Sequence, residues 1–149
     1  MRSSWILLTT VLLGAAVIDA RYQSSDEQAV RRTVQFYLDG LKANDIPTTQ
    51  KAFHPGARLY WVQHDTLASY NQTEWFKADY PATTPVPSPD ANVPMRIALV
   101  DIAGDAAVAR VEEDYPNALY IDYLSLLRIH GEWLVVNKIY MSHSKRSRS

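Results

Sequence analysis

Two residues have types and settings suited to proton chemistry, His54 and Asp122. His54 lies in the stretch AFHPGARLYWVQH, residues 52–64. An imidazole changes charge near neutral pH, so a cavity-facing His54 could act as general acid or base. Set directly before Pro55, it could equally be a structural imidazole bonding nearby backbone at a helix exit. His64 closes the stretch. Zinc would need a third ligand, for which Asp65 and Glu74 are only nominal candidates, and no HExxH spacing occurs. No metal site is expected. In a strand over 119–129, Asp122 shares a face with Tyr120, Leu124 and Leu126. A carboxylate in such company is costly to bury unless it is paired or protonated, and a raised carboxyl pKa is what a proton-shuttling enzyme exploits. Three other roles remain open for Asp122: an ion pair with Arg110 or Arg96, a ligand contact, or a place at a subunit interface. Tyr37, Tyr60, Trp61, Trp75 and Tyr120 are candidate ligand-binding aromatics, drawn from a pool that includes Phe76 and Tyr80. Trp133, just after a turn, is a core anchor. No nucleophile elbow, phosphate loop or dinucleotide fingerprint is present, so no cofactor is expected.

These residues must be positioned by elements that the pattern supplies. Val30, Val34, Tyr37, Leu38 and Leu41 recur at spacings of three and four, which predicts a helix from Ser24 to about Asn44. Ser25 followed by Gln28 reads as its capping box. A short second helix is predicted over 47–53, opened by Pro47 and stopped before Pro55, with His54 at its exit. A strand follows over 58–63, then a third helix over 71–80 capped by Asn71. Residues 81–94 carry five prolines and form a loop. Strands are predicted over 95–102, 106–115, 119–129 and 133–141, with turns at Gly104-Asp105 and His130-Gly131, as in an antiparallel meander. In 106–115, Ala107, Ala109 and Val111 form the packed face, leaving Arg110, Glu112 and Asp114 to solvent or a partner subunit.

The composition agrees with one domain. The chain has 149 residues, 47% hydrophobic and 21% charged, enough to bury a core without cross-links. A net charge of −1 does not support a broad nucleic-acid surface. The absence of cysteine excludes disulfides and thiolate chemistry. The opening MRSSWILLTTVLLGAAVIDA has an Arg followed by an uncharged run from Ser3 to Ile18 and small residues that offer cleavage after Ala16 or Ala20. That is a signal-peptide pattern, and the run falls short of the ~20 apolar residues of a comfortable membrane span. The expected organisation is a signal peptide over 1–20, a domain over 21–143 and a polar basic tail over 144–149. A secreted or periplasmic location follows, with no stable membrane insertion after cleavage. Asn71-Gln72-Thr73 fits a glycosylation sequon, which matters only in a eukaryotic host.

With AVRRTVQFYLDGLKAND (29–45), AFHPGARLYW (52–61), DIAGDAAVARVE (101–112) and DYLSLLRIHGEWLVVNKIY (122–140), the chain resembles the nuclear transport factor 2-like superfamily, and within it the lumazine-binding, SnoaL-like branch. The resemblance implies an α+β cone in which N-terminal helices pack on a strongly curved antiparallel sheet, with a pocket between them and a homodimer through the outer sheet face. The superfamily includes ketosteroid isomerases, scytalone dehydratases and polyketide cyclases, and the fold alone does not choose among functions. The expectation is an exported protein that binds a small organic molecule in a partly aromatic cavity. The alternatives are a cofactor-independent isomerase or dehydratase using His54 and Asp122, and a non-catalytic dimerisation module.

Overall fold

In a computed structural model the backbone is described for residues 6–80 and 92–145, and the side chains from Ser25 onward within those ranges. The opening residues of the expected signal peptide, most of the proline-rich loop and the end of the basic tail lie outside the described residues. The elements run α1 (Ile6–Ala43), α2 (Ile46–Gln50), β1 (Phe53–Gln63), β2 (Thr66–Asn71), α3 (Gln72–Asp79), β3 (Met95–Ala103), β4 (Ala106–Asp114), β5 (Ala118–Ile129) and β6 (Glu132–Ser144).

Several boundaries differ from those expected. α1 does not start at Ser24: no proline interrupts residues 6–43, so nothing stops the helix upstream of the Ser25 signal. It ends where expected. Asn44 takes a left-handed conformation (φ 52°), its N–H donates to the Leu41 carbonyl, and the Asp45 N–H donates to the Gly40 carbonyl. That pair of bonds is the Schellman closure. α2 stops at Gln50 rather than Phe53, and His54 is a strand residue, not a helix exit. Pro55 pushes His54 to extended backbone, and β1 begins one residue earlier still. β2 was not expected. It arises from a two-residue hairpin in which His64 and Asp65 both have positive φ (50° and 59°), the geometry of a type I′ turn. β6 extends to Ser144, beyond the expected Met141.

The six strands form one curved, unclosed sheet in the order β2-β1-β6-β5-β4-β3. β3 to β6 are the expected antiparallel meander, turning at Gly104-Asp105 and His130-Gly131. β1 runs parallel to β6, so the sheet is mixed rather than wholly antiparallel. The apolar stripe of α1 (Val30, Val34, Tyr37, Leu38) packs on Ala107, Ala109, Val111, Leu124, Leu126 and Val135 of the inner sheet face. Burial of each larger aliphatic side chain contributes roughly 1.5–3 kcal/mol. Thr33 ties the helix to β6 by donating to the Trp133 carbonyl at 2.8 Å.

One irregularity governs the site. Ser125 pairs with Asn137 but Leu126 pairs with Val135, so Val136 is an extra residue on β6. A bulge of one residue reverses which side chains face inward. Before it, Trp133 and Val135 are buried; after it, Lys138 is buried and Tyr140 half-buried, while Ile139 and Met141 are exposed.

Candidate functional site

A cavity of about 490 Å³ opens between the inner sheet face and the helices. Its walls are aromatic. Trp61 packs between Tyr70 and Tyr140, at 4.7 and 5.6 Å between ring centroids. Tyr120 meets Tyr115 edge-on at 5.4 Å, and Trp75 lies beside Tyr37 and Tyr80. α3 places Trp75 and Tyr80, and its start is fixed by a reciprocal capping box between Asn71 and Glu74. The Trp75 indole N–H donates to Asp79 at 2.8 Å. Burial pushes the Tyr140 phenol up to about 12, aided by the negative charge of Asp79.

The floor is polar and ionic. Tyr37 from α1, Glu113 from β4 and Lys138 from β6 line it, with Asp122 of β5 directly behind. Asp122 is 0% exposed, Glu113 4% and Lys138 7%. Lys138 Nζ lies 2.6 Å from Asp122 Oδ2 and donates to the Tyr37 hydroxyl at 2.5 Å. The Tyr37 hydroxyl donates to Asp122 Oδ2 at 2.6 Å and lies 3.0 Å from Glu113 Oε1. Among the described residues, buried Asp122 Oδ1 has no hydrogen-bond partner. The Lys138 ammonium also sits 4.8–5.5 Å from the ring centroids of Tyr37, Trp75 and Tyr140, a cation–π setting. Burial, then the negative charge of Asp122, pushes the Glu113 carboxyl up to about 8 against the opposing pull of Lys138. The Tyr37 phenol is pushed well above its ordinary value, first by burial and then by Asp122 and Glu113.

Of the aromatic candidates, Tyr37, Trp61, Trp75 and Tyr120 line the cavity. Tyr60 alternates onto the other face of β1 from Leu59 and Trp61 and is not part of the lining. His54 is also outside the lining: its Nδ1 accepts from the Gly56 N–H at 3.1 Å and its carbonyl accepts from the Gln72 side-chain amide. The partner of Asp122 is Lys138 rather than Arg110 or Arg96, both of which pair with Glu112. Register explains this, since Arg110 stands opposite Tyr123 and thus on the face away from Asp122.

Sequence reasoning missed Glu113 and Lys138. For Glu113 a signal existed, because it continues the inward series Ala107, Ala109, Val111 by one more step of two. For Lys138 strict alternation from Val135 points outward, and only the bulge at Val136 turns it in.

The fold has recognisable relatives. A family model described as "Putative lumazine-binding" matches residues 25–141. An NTF2-like protein of unknown function from Shewanella baltica superposes with a TM-score of 0.71 at 28% identity, covering 82% of this chain and 97% of that one. An NTF2-like protein of unknown function from Methylobacillus flagellatus gives 0.68 at 26%, with 80% and 93% covered. In sequence the chain is 22% identical over 124 residues to the aldolase FrzH of Cladobotryum, covering 82% of this chain and 95% of that relative. Since the family match spans most of the chain and takes in every residue of the cavity floor, this protein belongs to the "Putative lumazine-binding" family of the NTF2-like superfamily.

Proposed function

We propose that the cavity binds a small, flat organic molecule bearing a polar oxygen, stacked against the aromatic walls and seated on the Tyr37–Glu113–Lys138 floor. The supporting observation is that a buried ionic cluster, costly in an apolar interior, lines an aromatic cavity instead of being packed away. Pockets of this kind take their specificity from a few placed polar groups among apolar walls. Trp61 and Trp75 in the lining make the test direct. A panel of flat carbonyl compounds is expected to change tryptophan fluorescence saturably in the parent protein, and Lys138→Met is expected to weaken the hits by tenfold or more. A panel with no saturable hit argues against the reading.

A second reading is proton-transfer catalysis on a carbonyl substrate without a cofactor. It is favoured by the raised Glu113 carboxyl on the cavity floor and by the similarity to the aldolase FrzH of Cladobotryum. Glu113 would hold or move the proton, with Asp122 positioning Tyr37 and Lys138. His54, which faces its own turn, would not take part. Deuterium exchange into enolisable ketones in heavy water checks this: exchange above the buffer rate that is lost in Glu113→Gln supports it, and a rate equal to buffer opposes it.

Export with removal of residues 1–20, to a secreted or periplasmic location, belongs to the same reading. Its support is the uncharged N-terminal run in the sequence. A homodimer through the outer sheet face is part of it as well. Val108, Tyr123, Leu127, Ile139 and Met141 are exposed on β4, β5 and β6, and Tyr123 stands opposite Ile139 in the register. Such a contiguous apolar surface fits a self-association site.

A further inference from the structure

We infer that Glu113 and Asp122 hold one proton between them, so that Glu113 and Lys138 together form a donor seat for an anionic oxygen carried on a flat ligand. This deepens the binding reading above and rests on it.

The inference comes from counting protons around the Tyr37 hydroxyl. That oxygen has one hydrogen to give and two lone pairs to receive. Lys138, a donor only, occupies one lone pair at 2.5 Å. The single phenol hydrogen serves the shorter carboxylate contact, to Asp122 at 2.6 Å. The Glu113 oxygen at 3.0 Å then faces a lone pair, and only a protonated carboxyl makes that contact attractive. If the phenol hydrogen turns to Glu113 instead, Asp122 must carry the proton. Either way two carboxyls share one proton, and the floor, counting Lys138, has no net charge.

Every element packed around Glu113 supports this. α1 brings Tyr37; β5 brings Asp122 and Tyr120, the latter directly opposite Glu113; β6 brings Lys138 and Tyr140. α3 adds Asp79 and Tyr80 at the cavity wall, and β3 brings only Met95 opposite Glu113. One cation thus meets two buried carboxyls, too few to keep both ionised in a low-dielectric site. Lys138 has three N–H donors, of which one goes to Tyr37 and one to Asp122, so a third is left for a cavity occupant. A ligand oxyanion is a stronger acceptor than a phenol oxygen, and it draws the Glu113 proton toward itself. With the proton lost, the floor becomes net negative and repels the same ligand.

The full chain without ligand is tested first, by infrared spectroscopy. A buried protonated-carboxyl C=O band is expected at neutral pH, disappearing as pH rises through about 8 and missing in Glu113→Gln. The probe is then 2-naphthoate, whose own carboxylate stays ionised above roughly pH 6, with neutral 2-acetylnaphthalene as comparator. Naphthoate affinity is expected to fall at least tenfold across the same titration, the ketone's much less, and Glu113→Gln is expected to remove the step. A wild-type spectrum without the band overturns the shared proton, even if the variant fails to fold. A naphthoate affinity independent of pH overturns the anion seat. Failure of both probes to bind, with the band present, instead removes the binding reading and this inference with it.

Discussion

At the residue scale, the weight falls on Lys138. It is the one cation of a buried cluster that also contains Asp122, Glu113 and the Tyr37 hydroxyl. Removing one partner of a buried pair strands the other, at a typical cost of about 3–5 kcal/mol. Lys138→Met is therefore expected to lower unfolding free energy by about that much in urea denaturation. Asp122→Asn is expected to cost less, about 1–2 kcal/mol, because Glu113 can take up the negative charge. If Asp122→Asn proves the costlier of the two, Glu113 does not share the counter-ion role. The raised Glu113 carboxyl has its own signature. Its folded value, about 8, lies above its ordinary 4.5, so the folded state holds the proton longer than the unfolded chain does. The stability this group contributes is full below the ordinary value and is lost as pH rises to about 8. Tm is thus expected to fall over that window, and to fall less in Glu113→Gln. The sequence exposed half of this cluster. Asp122 stood out as a lone carboxylate on an inward face and Tyr37 as a helix-stripe aromatic. Lys138 did not, because its orientation depends on a bulge that leaves no mark in residue types.

At the element scale, two local features hold the site in place. Gly40 of α1 lies against Thr49 of α2: a Cβ there would stand 2.1 Å from Thr49 Oγ1 and 2.6 Å from the Thr49 backbone nitrogen. Gly40→Ala gains about 1 kcal/mol in helix propensity, but the clash involves backbone and cannot be relieved by a rotamer change. Overpacking of this kind costs about 1–3 kcal/mol, so net destabilisation is expected in thermal unfolding, by up to about 2 kcal/mol; a stabilised variant would show that the two helices separate freely. The second feature is Val136. Deleting it joins Val135 to Asn137, so regular pairing with β5 runs Val135 in, Asn137 out, Lys138 in. The variant is expected to keep Lys138 and Tyr140 in the cavity, and with them the tryptophan fluorescence response to cavity ligands. Loss of that response in a folded variant would show that the bulge itself shapes the cavity. Helix α1's core stripe, its end at Asn44, and the turns at Gly104-Asp105 and His130-Gly131 were legible because each carries a local signal, a period or a pair of turn residues. β2 was not: its hairpin turns on His64 and Asp65 at positive φ, a conformation that glycine or asparagine would have announced and this pair does not.

At the scale of the whole molecule, the curved sheet and α1 create one face that is aromatic and ionic and another that is apolar and exposed. The element order and four separated stretches of sequence were enough to read the superfamily, since the cone needs only helices first and a long meander last. What they could not convey is that β1 adds to the sheet in parallel, because strand pairing across that distance is set by tertiary packing rather than by local pattern. The central claim is that the inner face is built to hold a small molecule. Native mass spectrometry of protein purified gently from its own host tests it most directly. Extra mass is expected on the folded protein, released on denaturation and absent from Lys138→Met that circular dichroism shows to be folded. Wild-type protein that carries no extra mass, and that takes up none from a metabolite extract of the same host, would contradict the claim.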